Sequence, residues 1–117
     1  DGMGIARGEM KTQDYKGITT GRRLGAVHPG HVLLADFLEP LGITRYRVAK
    51  AIGVHQRRID EICAGERAVT ADTAVRLGLA FGIDPQFWLN LQSQYDIEVI
   101  EREQGERLAE EIHPIEA

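Results

Sequence analysis

Two short segments with helical apolar spacing, residues 45–52 and 56–64, are joined by only three residues, Gly53-Val54-His55. The glycine supplies the left-handed backbone conformation that ends a helix abruptly. Because the joint is so short, the two helices must pack closely, and Ala49 places a small side chain where they meet. This combination predicts a helix-turn-helix over residues 44–65, and the rest of a small domain must then pack around that motif.

Three more segments have apolar residues at helical spacing, namely residues 30–39, 71–82 and 85–104. Asp84 as N-cap followed by Pro85 marks the start of the last segment, whereas Pro40 and Gly42 mark the end of the first. Extended character is confined to a short piece at residues 111–115. The chain of 117 residues is therefore expected to hold one all-α domain of five helices.

The predicted domain covers residues 28–104 and is flanked by two segments of different composition. Residues 1–27 are rich in Gly, Lys, Arg and Thr without a sustained apolar period, which predicts a flexible N-terminal arm. Residues 105–117 form an acidic C-terminal tail. Within the helix-turn-helix, the side chains expected to face the core are Tyr46, Val48, Ala49, Ile52, Ile59 and Ile62.

The net charge of −4 conceals an uneven distribution of charge along the chain. Residues 45–67 carry six Lys and Arg against three acids, whereas residues 86–117 carry eight acids against two Arg. A basic segment centred on the helix-turn-helix suits contact with phosphates. The acidic end suits a basic partner, or serves only solubility.

The exposed first turn of the second helix of the motif is the segment expected to enter the major groove of DNA. Gln pairs bidentately with adenine and Arg with guanine, and the side chains expected to read bases are Gln56, Arg57, Arg58 and Asp60. Contacts to the DNA backbone position a protein without specifying sequence, and they are expected from Arg45, Arg47, His55 and Arg67. The competing interpretation is that these polar residues form an ordinary solvated helix face.

One such motif contacts one half-site, and a two-fold dimer would contact two half-sites about 34–36 Å apart. The last predicted helix carries apolar residues on more than one stripe, which suggests a surface for a second copy in addition to the core. The predicted dimer interface comprises Trp88, Leu91, Tyr95 and Val99. The alternative is that all of these side chains pack within one protomer.

Five segments carry a resemblance to a known family. They are His28-Pro29-Gly30, Phe37-Leu38-Glu39-Pro40-Leu41-Gly42, Tyr46-Arg47-Val48-Ala49, Thr70-Ala71-Asp72-Thr73-Ala74 and Phe87-Trp88-Leu89-Asn90-Leu91-Gln92. Together they resemble the HigA antitoxins, which are short Xre-type, lambda-repressor-like proteins of bacterial addiction modules. The resemblance covers residues 28–99, with a weaker match at Ile112-His113-Pro114. His31 departs from the family pattern, which usually has Glu at this position.

The resemblance implies a small all-α, lambda-repressor-like homodimer that represses its own operon. It also implies neutralisation of a HigB toxin, a ribosome-dependent mRNA endonuclease of the RelE type. Carried over by position, it assigns the reading of operator DNA to Gln56, Arg57, Arg58 and Asp60, with His55 at the helix cap.

Two other functions remain open at this point. One is a stand-alone repressor without a toxin partner, and the other is a protein-interaction module that has lost DNA binding. If there is a toxin, it would be bound either by residues 1–27 with the first helix or by the acidic residues 98–116. We favour the first of these two surfaces.

The sequence contains no pattern typical of a catalytic, cofactor or metal site. His28 and His31 offer two ligands where a closed zinc site needs four, and His28 is expected to cap the first helix or to lie exposed. Cys63, the single cysteine, is expected to act as a small, partly buried apolar residue. No run of about 18 apolar residues suggests a membrane span, and the absence of a signal-peptide pattern and of a cysteine pair favours the cytoplasm.

Overall fold

The computed structural model describes residues 26–116, so the predicted arm at residues 1–27 lies almost entirely outside the described residues. Within this range the chain folds into five helices without a strand, which confirms the all-α prediction. Helix α1 has three consecutive parts, Pro29–Val32, the π-helical Leu33–Leu38 and Glu39–Leu41. The others are α2 (Arg45–Ile52), α3 (Gln56–Cys63), α4 (Ala71–Phe81) and α5 (Pro85–Glu111). None of the helices in this range is long and apolar enough to cross a membrane.

Helices α2 and α3 form the helix-turn-helix where it was predicted. Thr44 caps α2, because its Oγ1 accepts a hydrogen bond from the backbone N–H of Arg47 at 3.0 Å. Gly53 ends α2 at φ +75°, and the next N–H, that of Val54, donates to the carbonyl of Ala49 at 3.0 Å. These hydrogen bonds satisfy backbone groups that a helix end otherwise leaves free.

The first helix is longer than predicted. It was expected to end near Glu39, but it continues through Pro40 to Leu41, and Gly42 ends it at φ +65°. Pro40 is tolerated because it lies in the first turn of the last α-helical part, where a missing N–H costs little.

A π-helical turn lies in the middle of α1, over Leu33–Leu38. The N–H of Glu39 accordingly donates to the carbonyl of Leu34, five residues earlier. In a regular α-helix, side chains five residues apart point about 140° away from each other. The wider turn brings Leu33 and Leu38 into the same core, where both are buried.

Helix α5 also extends further than predicted, to Glu111 rather than Gln104. Gly105 does not end it, because the residues that follow are mostly strong helix formers and Arg107 pairs with Glu111 one turn later at 2.9 Å. The first half of the predicted acidic tail is therefore helical, and the extended piece expected at residues 111–115 is the end of this helix and irregular chain.

The core forms where α1, α4 and α5 meet the helix-turn-helix. Trp88 is fully buried at its centre, with Phe37 and Phe87 rings 5.2 and 5.0 Å from its own. Every side chain predicted to face the core from α2 and α3 does so, except that of Tyr46, which is 58% exposed. The prediction for Tyr46 was wrong, because Val48, Ala49 and Ile52 already complete the buried stripe of α2.

The start of α1 lies directly on the end of α3. A Cβ atom at Gly30 would be 1.7 Å from the carbonyl oxygen of Ile62, so only glycine permits this approach. The backbone N–H of Gly30 is used as well, because it donates to Nδ1 of His28 at 2.9 Å. Helix α1 thus supports α3 through backbone-to-backbone contact.

His28 caps α1, which is one of the two outcomes expected from the sequence. Its ring is buried and meets Tyr95 of α5 edge-on, with 4.9 Å between the ring centroids. Burial lowers the pKa of His28, the neighbouring His31 lowers it further, and Asp96 opposes the change. The neutral ring is required here, because a protonated Nδ1 has no lone pair to accept the hydrogen bond of the cap.

We expect Gly30→Ala to lower the free energy of unfolding by about 3 kcal/mol, because the backbone of Ile62 must move to admit the methyl group. The matched control is Gly105→Ala, where the nearest atom to a Cβ is that of Glu101 at 4.0 Å. This control should be stabilised by up to about 1 kcal/mol, since alanine favours a helix. Urea unfolding measures both changes, and a Gly30→Ala protein as stable as the wild type would contradict the close approach.

We expect His28 to make the fold sensitive to acid. The pKa of His28 in the folded protein lies below the value of 6.5 that it takes in a free chain. As the pH falls through 6.5, the unfolded chain therefore binds a proton at His28 before the folded protein does. The stability contributed by neutral His28 is therefore complete above about pH 6.5 and is lost as the pH falls towards the lowered pKa.

The variant His28→Asn keeps a capping side chain that does not titrate in this range. Its free energy of unfolding should fall less than that of the wild type between pH 8 and pH 5.5, both measured by urea unfolding. His31→Asn, at an exposed position, serves as the control and should keep most of the acid sensitivity. Parallel pH profiles for the wild type and His28→Asn would refute the assignment.

Candidate nucleic-acid interface

The exposed side of the helix-turn-helix begins at the cap of α3. Nδ1 of His55 accepts a hydrogen bond from the backbone N–H of Arg57 at 3.1 Å, so the side chain of His55 is the N-cap of this helix. The side chains of Gln56 and Arg57 follow in the first turn and are exposed. The opposite side of α3 is buried, which leaves this turn as the part of the helix that a ligand can reach.

Glu61 holds two arginines side by side on this surface. Its Oε1 accepts a hydrogen bond from Nε of Arg67 at 2.8 Å, and its Oε2 accepts one from Nε of Arg57 at 3.3 Å. The hydrogen bond from Arg67 is the main reason that the pKa of Glu61 lies below its ordinary value. Glu61 therefore keeps its charge in mild acid and keeps both guanidinium groups oriented.

A shallow, open depression lies over the start of α3. It is lined by His55, Arg57, Arg58 and Arg67, which we call the basic face. Arg57 and Arg67 extend over it while attached to Glu61. The basic face thus offers cationic side chains in one concave area, which is the arrangement that binds phosphate and base edges in DNA.

Arg58 differs from Arg57 in how far it extends. The side chain of Arg57 is 80% exposed, whereas that of Arg58 is 34% exposed and forms an ion pair with Asp72 of α4 at 3.6 Å. Arg57 is therefore the more accessible of the two predicted base-reading arginines.

Asp60 and Arg45, which were predicted to contact bases and backbone respectively, face each other. Nη1 of Arg45 lies 3.7 Å from Oδ1 of Asp60, a distance that allows an ionic contact but no hydrogen bond. The same Oδ1 accepts no hydrogen bond within residues 26–116. Arg47, in the first turn of α2, is exposed. Their roles towards DNA remain predictions.

The side chains predicted for a dimer interface fall into two groups. Trp88 is fully buried within the single chain, so its ring has no surface for a second copy, and its assignment to a dimer interface was wrong. Its burial follows from the aromatic rings of α1 and α5 that surround it. Leu91, Tyr95 and Val99 are half-buried and retain some exposed surface on α5.

Two residues that support the basic face were not assigned a role from the sequence. Gln92 is buried, its Oε1 accepts a hydrogen bond from the N–H of Val69 at 2.8 Å, and its Nε2 donates to Asp96 at 2.9 Å. It therefore ties the loop after α3 to α5. In the sequence, Gln92 interrupts an apolar stripe, four residues after Trp88 and three before Tyr95. A polar residue at such a position indicates a buried side chain with a hydrogen-bond partner. The other residue, Arg76, reaches the turn from α4 and had no comparable signal.

Similarity to known proteins agrees with this architecture. Residues 34–88 match the helix-turn-helix family model. Virulence-associated protein I of Dichelobacter nodosus is 45% identical over 78 residues, which cover 67% of this chain and 72% of that protein. Antitoxin HigA-1 of Vibrio cholerae is 41% identical over 71 residues, which cover 61% of this chain and 67% of that protein.

One solved structure is similar to this chain over nearly the whole length of the solved protein. It is that of Pseudomonas aeruginosa antitoxin HigA with the higBA promoter, which is 34% identical and aligns with a TM-score of 0.75. The alignment covers 78% of this chain and 99% of the solved one. Other relatives, from Escherichia coli and Haemophilus influenzae, are named as uncharacterised helix-turn-helix transcriptional regulators.

Proposed function

Because the chain belongs to the HigA family of helix-turn-helix proteins, we propose that it is an antitoxin that binds and represses its own promoter. The observation that carries this proposal is the basic face at the start of α3. Arg57 extends from it into solvent, and Arg67 stands beside Arg57 through their shared contact with Glu61. The relative from Pseudomonas aeruginosa was solved with promoter DNA, which supports the same ligand for this chain.

In the proposed complex, the first turn of α3 enters the major groove. Base edges are read by Gln56, Arg57, Arg58 and Asp60, and the DNA backbone is contacted by Arg45, Arg47, His55 and Arg67. Arg57 and Arg58 each have an ionic partner, but Arg57 remains far more exposed while paired with Glu61 than Arg58 does while paired with Asp72. Gln56 is exposed as well, so Gln56 and Arg57 are expected to reach the bases first.

The proposed antitoxin acts in the cytoplasm as a homodimer, in which each copy places its helix-turn-helix on one half-site. The dimer surface lies on α5, where Leu91, Tyr95 and Val99 are half-buried and Ile97 and Ile100 are exposed. These apolar side chains on a long helix suit contact with the same helix of a second copy. The half-sites are then expected about 34–36 Å apart.

The proposed protein partner is a HigB toxin of the RelE type, a ribosome-dependent mRNA endonuclease. The family supports this proposal, since the Vibrio cholerae relative is named as an antitoxin. A stand-alone repressor is the second candidate, because several relatives are named only as uncharacterised transcriptional regulators. The two candidates share the basic face and differ only in the partner.

We expect Arg57→Ala to weaken binding to the protein's own promoter by about tenfold to a hundredfold, since one good bidentate contact to a base contributes about 1–3 kcal/mol. The matched control is Arg107→Ala, which removes an arginine that pairs with Glu111 of α5 one turn later, as Arg57 pairs with Glu61. Gel-shift titrations would use the DNA directly upstream of the gene and a shuffled duplex of the same composition. Equal affinity of Arg57→Ala and Arg107→Ala for the promoter would refute the role of the basic face.

The toxin is expected to be a small basic protein encoded beside this one. Co-expression of the two genes should restore the growth that the neighbouring gene alone prevents, and the two proteins should co-purify. Arg57→Ala should rescue growth as well as the wild type does when both are expressed from a foreign promoter, provided that toxin binding uses another surface. A neighbouring gene that is harmless alone, with no protein co-purifying, would favour the stand-alone repressor.

A further inference from the structure

A chain of polar contacts links α4 to both helices of the helix-turn-helix. Oδ2 of Asp72 lies 2.8 Å from Nε of Arg76 and 3.6 Å from Nη1 of Arg58. Nη1 of Arg76 donates a hydrogen bond to the backbone carbonyl of Ile52 at 2.7 Å. One carboxylate and one guanidinium of α4 thus connect the last residue of α2 with the first turn of α3.

The contact at Ile52 acts on the turn itself. The last carbonyl groups of a helix lack partners within the helix and carry a partial negative charge. Arg76 satisfies one of these carbonyls and brings a positive charge to the end of α2. A Cβ at Gly53 would lie 3.3 Å from Nη1 of Arg76, so the turn leaves just enough room for this side chain.

The contact at Arg58 acts on the basic face. Asp72 attracts the guanidinium of Arg58 towards α4 before any ligand binds, through an ionic contact that is too long for a hydrogen bond. The same carboxylate oxygen contacts Arg76, so the direction of Arg58 is coupled to the position of the turn.

We propose that Asp72 and Arg76 are positioning residues for sequence recognition, which orient α3 and Arg58 from α4. This inference rests on the proposed DNA-binding function. Ion pairs on an exposed surface contribute little to folding stability. We therefore expect substitutions in this network to change the preference for one DNA sequence over another more than the stability of the fold. Lysine does not reproduce Arg76, because Arg76 donates to Asp72 from Nε and to the carbonyl of Ile52 from Nη1, whereas lysine carries a single nitrogen.

The test compares specificity ratios of the full-length protein. The ratio is the affinity for the duplex that the wild type enriches from a random-sequence library, divided by the affinity for a shuffled duplex. Asp72→Asn and Arg76→Lys should each lower this ratio by about tenfold, within the contribution of a single good contact to a base. Asp72→Asn removes a negative charge and should bind the shuffled duplex more tightly than the wild type, which a general loss of folded protein would not produce.

The matched controls break the corresponding pair on α5, where Arg107 and Glu111 are 2.9 Å apart. Arg107→Lys and Glu111→Gln should leave the specificity ratio unchanged. In an Arg58→Ala background, Asp72→Asn should lose most of its effect, because the side chain that it orients is gone. Circular dichroism verifies the folded fraction of each variant, and the exposed Asp72 carries the test by itself if Arg76→Lys folds poorly.

A specificity ratio that stays within twofold of the wild type in Asp72→Asn and Arg76→Lys would overturn the inference, and so would an undiminished effect of Asp72→Asn in the Arg58→Ala background. Under either result, a strong loss of specific binding in Arg57→Ala would leave the proposed DNA-binding function intact. If the wild type itself prefers no duplex over the shuffled one, the DNA-binding function fails and the inference fails with it.

Discussion

The contact of Gly30 with the carbonyl of Ile62 determines where α3 can lie. Without a side chain between them, the start of α1 rests on the backbone of α3, and the buried side of α3 has nowhere else to pack. His28 links this contact to α5, because it caps α1 and also packs on Tyr95 of α5. The exposed first turn of α3 is therefore held at a set distance from α5, which is the helix proposed to join two copies.

Acidic side chains lie among the arginines of the basic face and pair with them. Glu61 lies between Arg57 and Arg67. Asp60 pairs with one further arginine, and Asp72 pairs with two. In the proposed complex with DNA, a phosphate must compete with a carboxylate that already pairs with the arginine. Under that proposal, binding would depend more on the contacts that a correct sequence adds and less on charge alone.

The parts of the fold that act within one turn of a helix were predictable from the sequence. The helix stop at Gly53 and the N-cap at Asp84 both depend only on neighbouring residues. Contacts between distant residues were not predictable in this way, because nothing local distinguishes Gly30 from other glycines or Arg76 from other surface arginines. The structure brings the side chains of the basic face together, and their roles towards DNA stay predictions. The ion pair of Arg58 with Asp72 of α4 was not predicted, since Asp72 lies elsewhere in the sequence.

The π-helical turn at residues 33–38 lets α1 hold one more residue than a regular helix would have between the same two core leucines. Each residue of an α-helix turns the chain by about 100°. A chain one residue shorter between Leu33 and Leu38 could form a regular helix in which these two side chains, then four residues apart, would still point within about 40° of each other. Gly30 would keep nearly the same direction towards Ile62. A deletion inside this turn should therefore disturb the protein less than a deletion in the α-helical part between Gly30 and Leu33, which would rotate Gly30 away from Ile62.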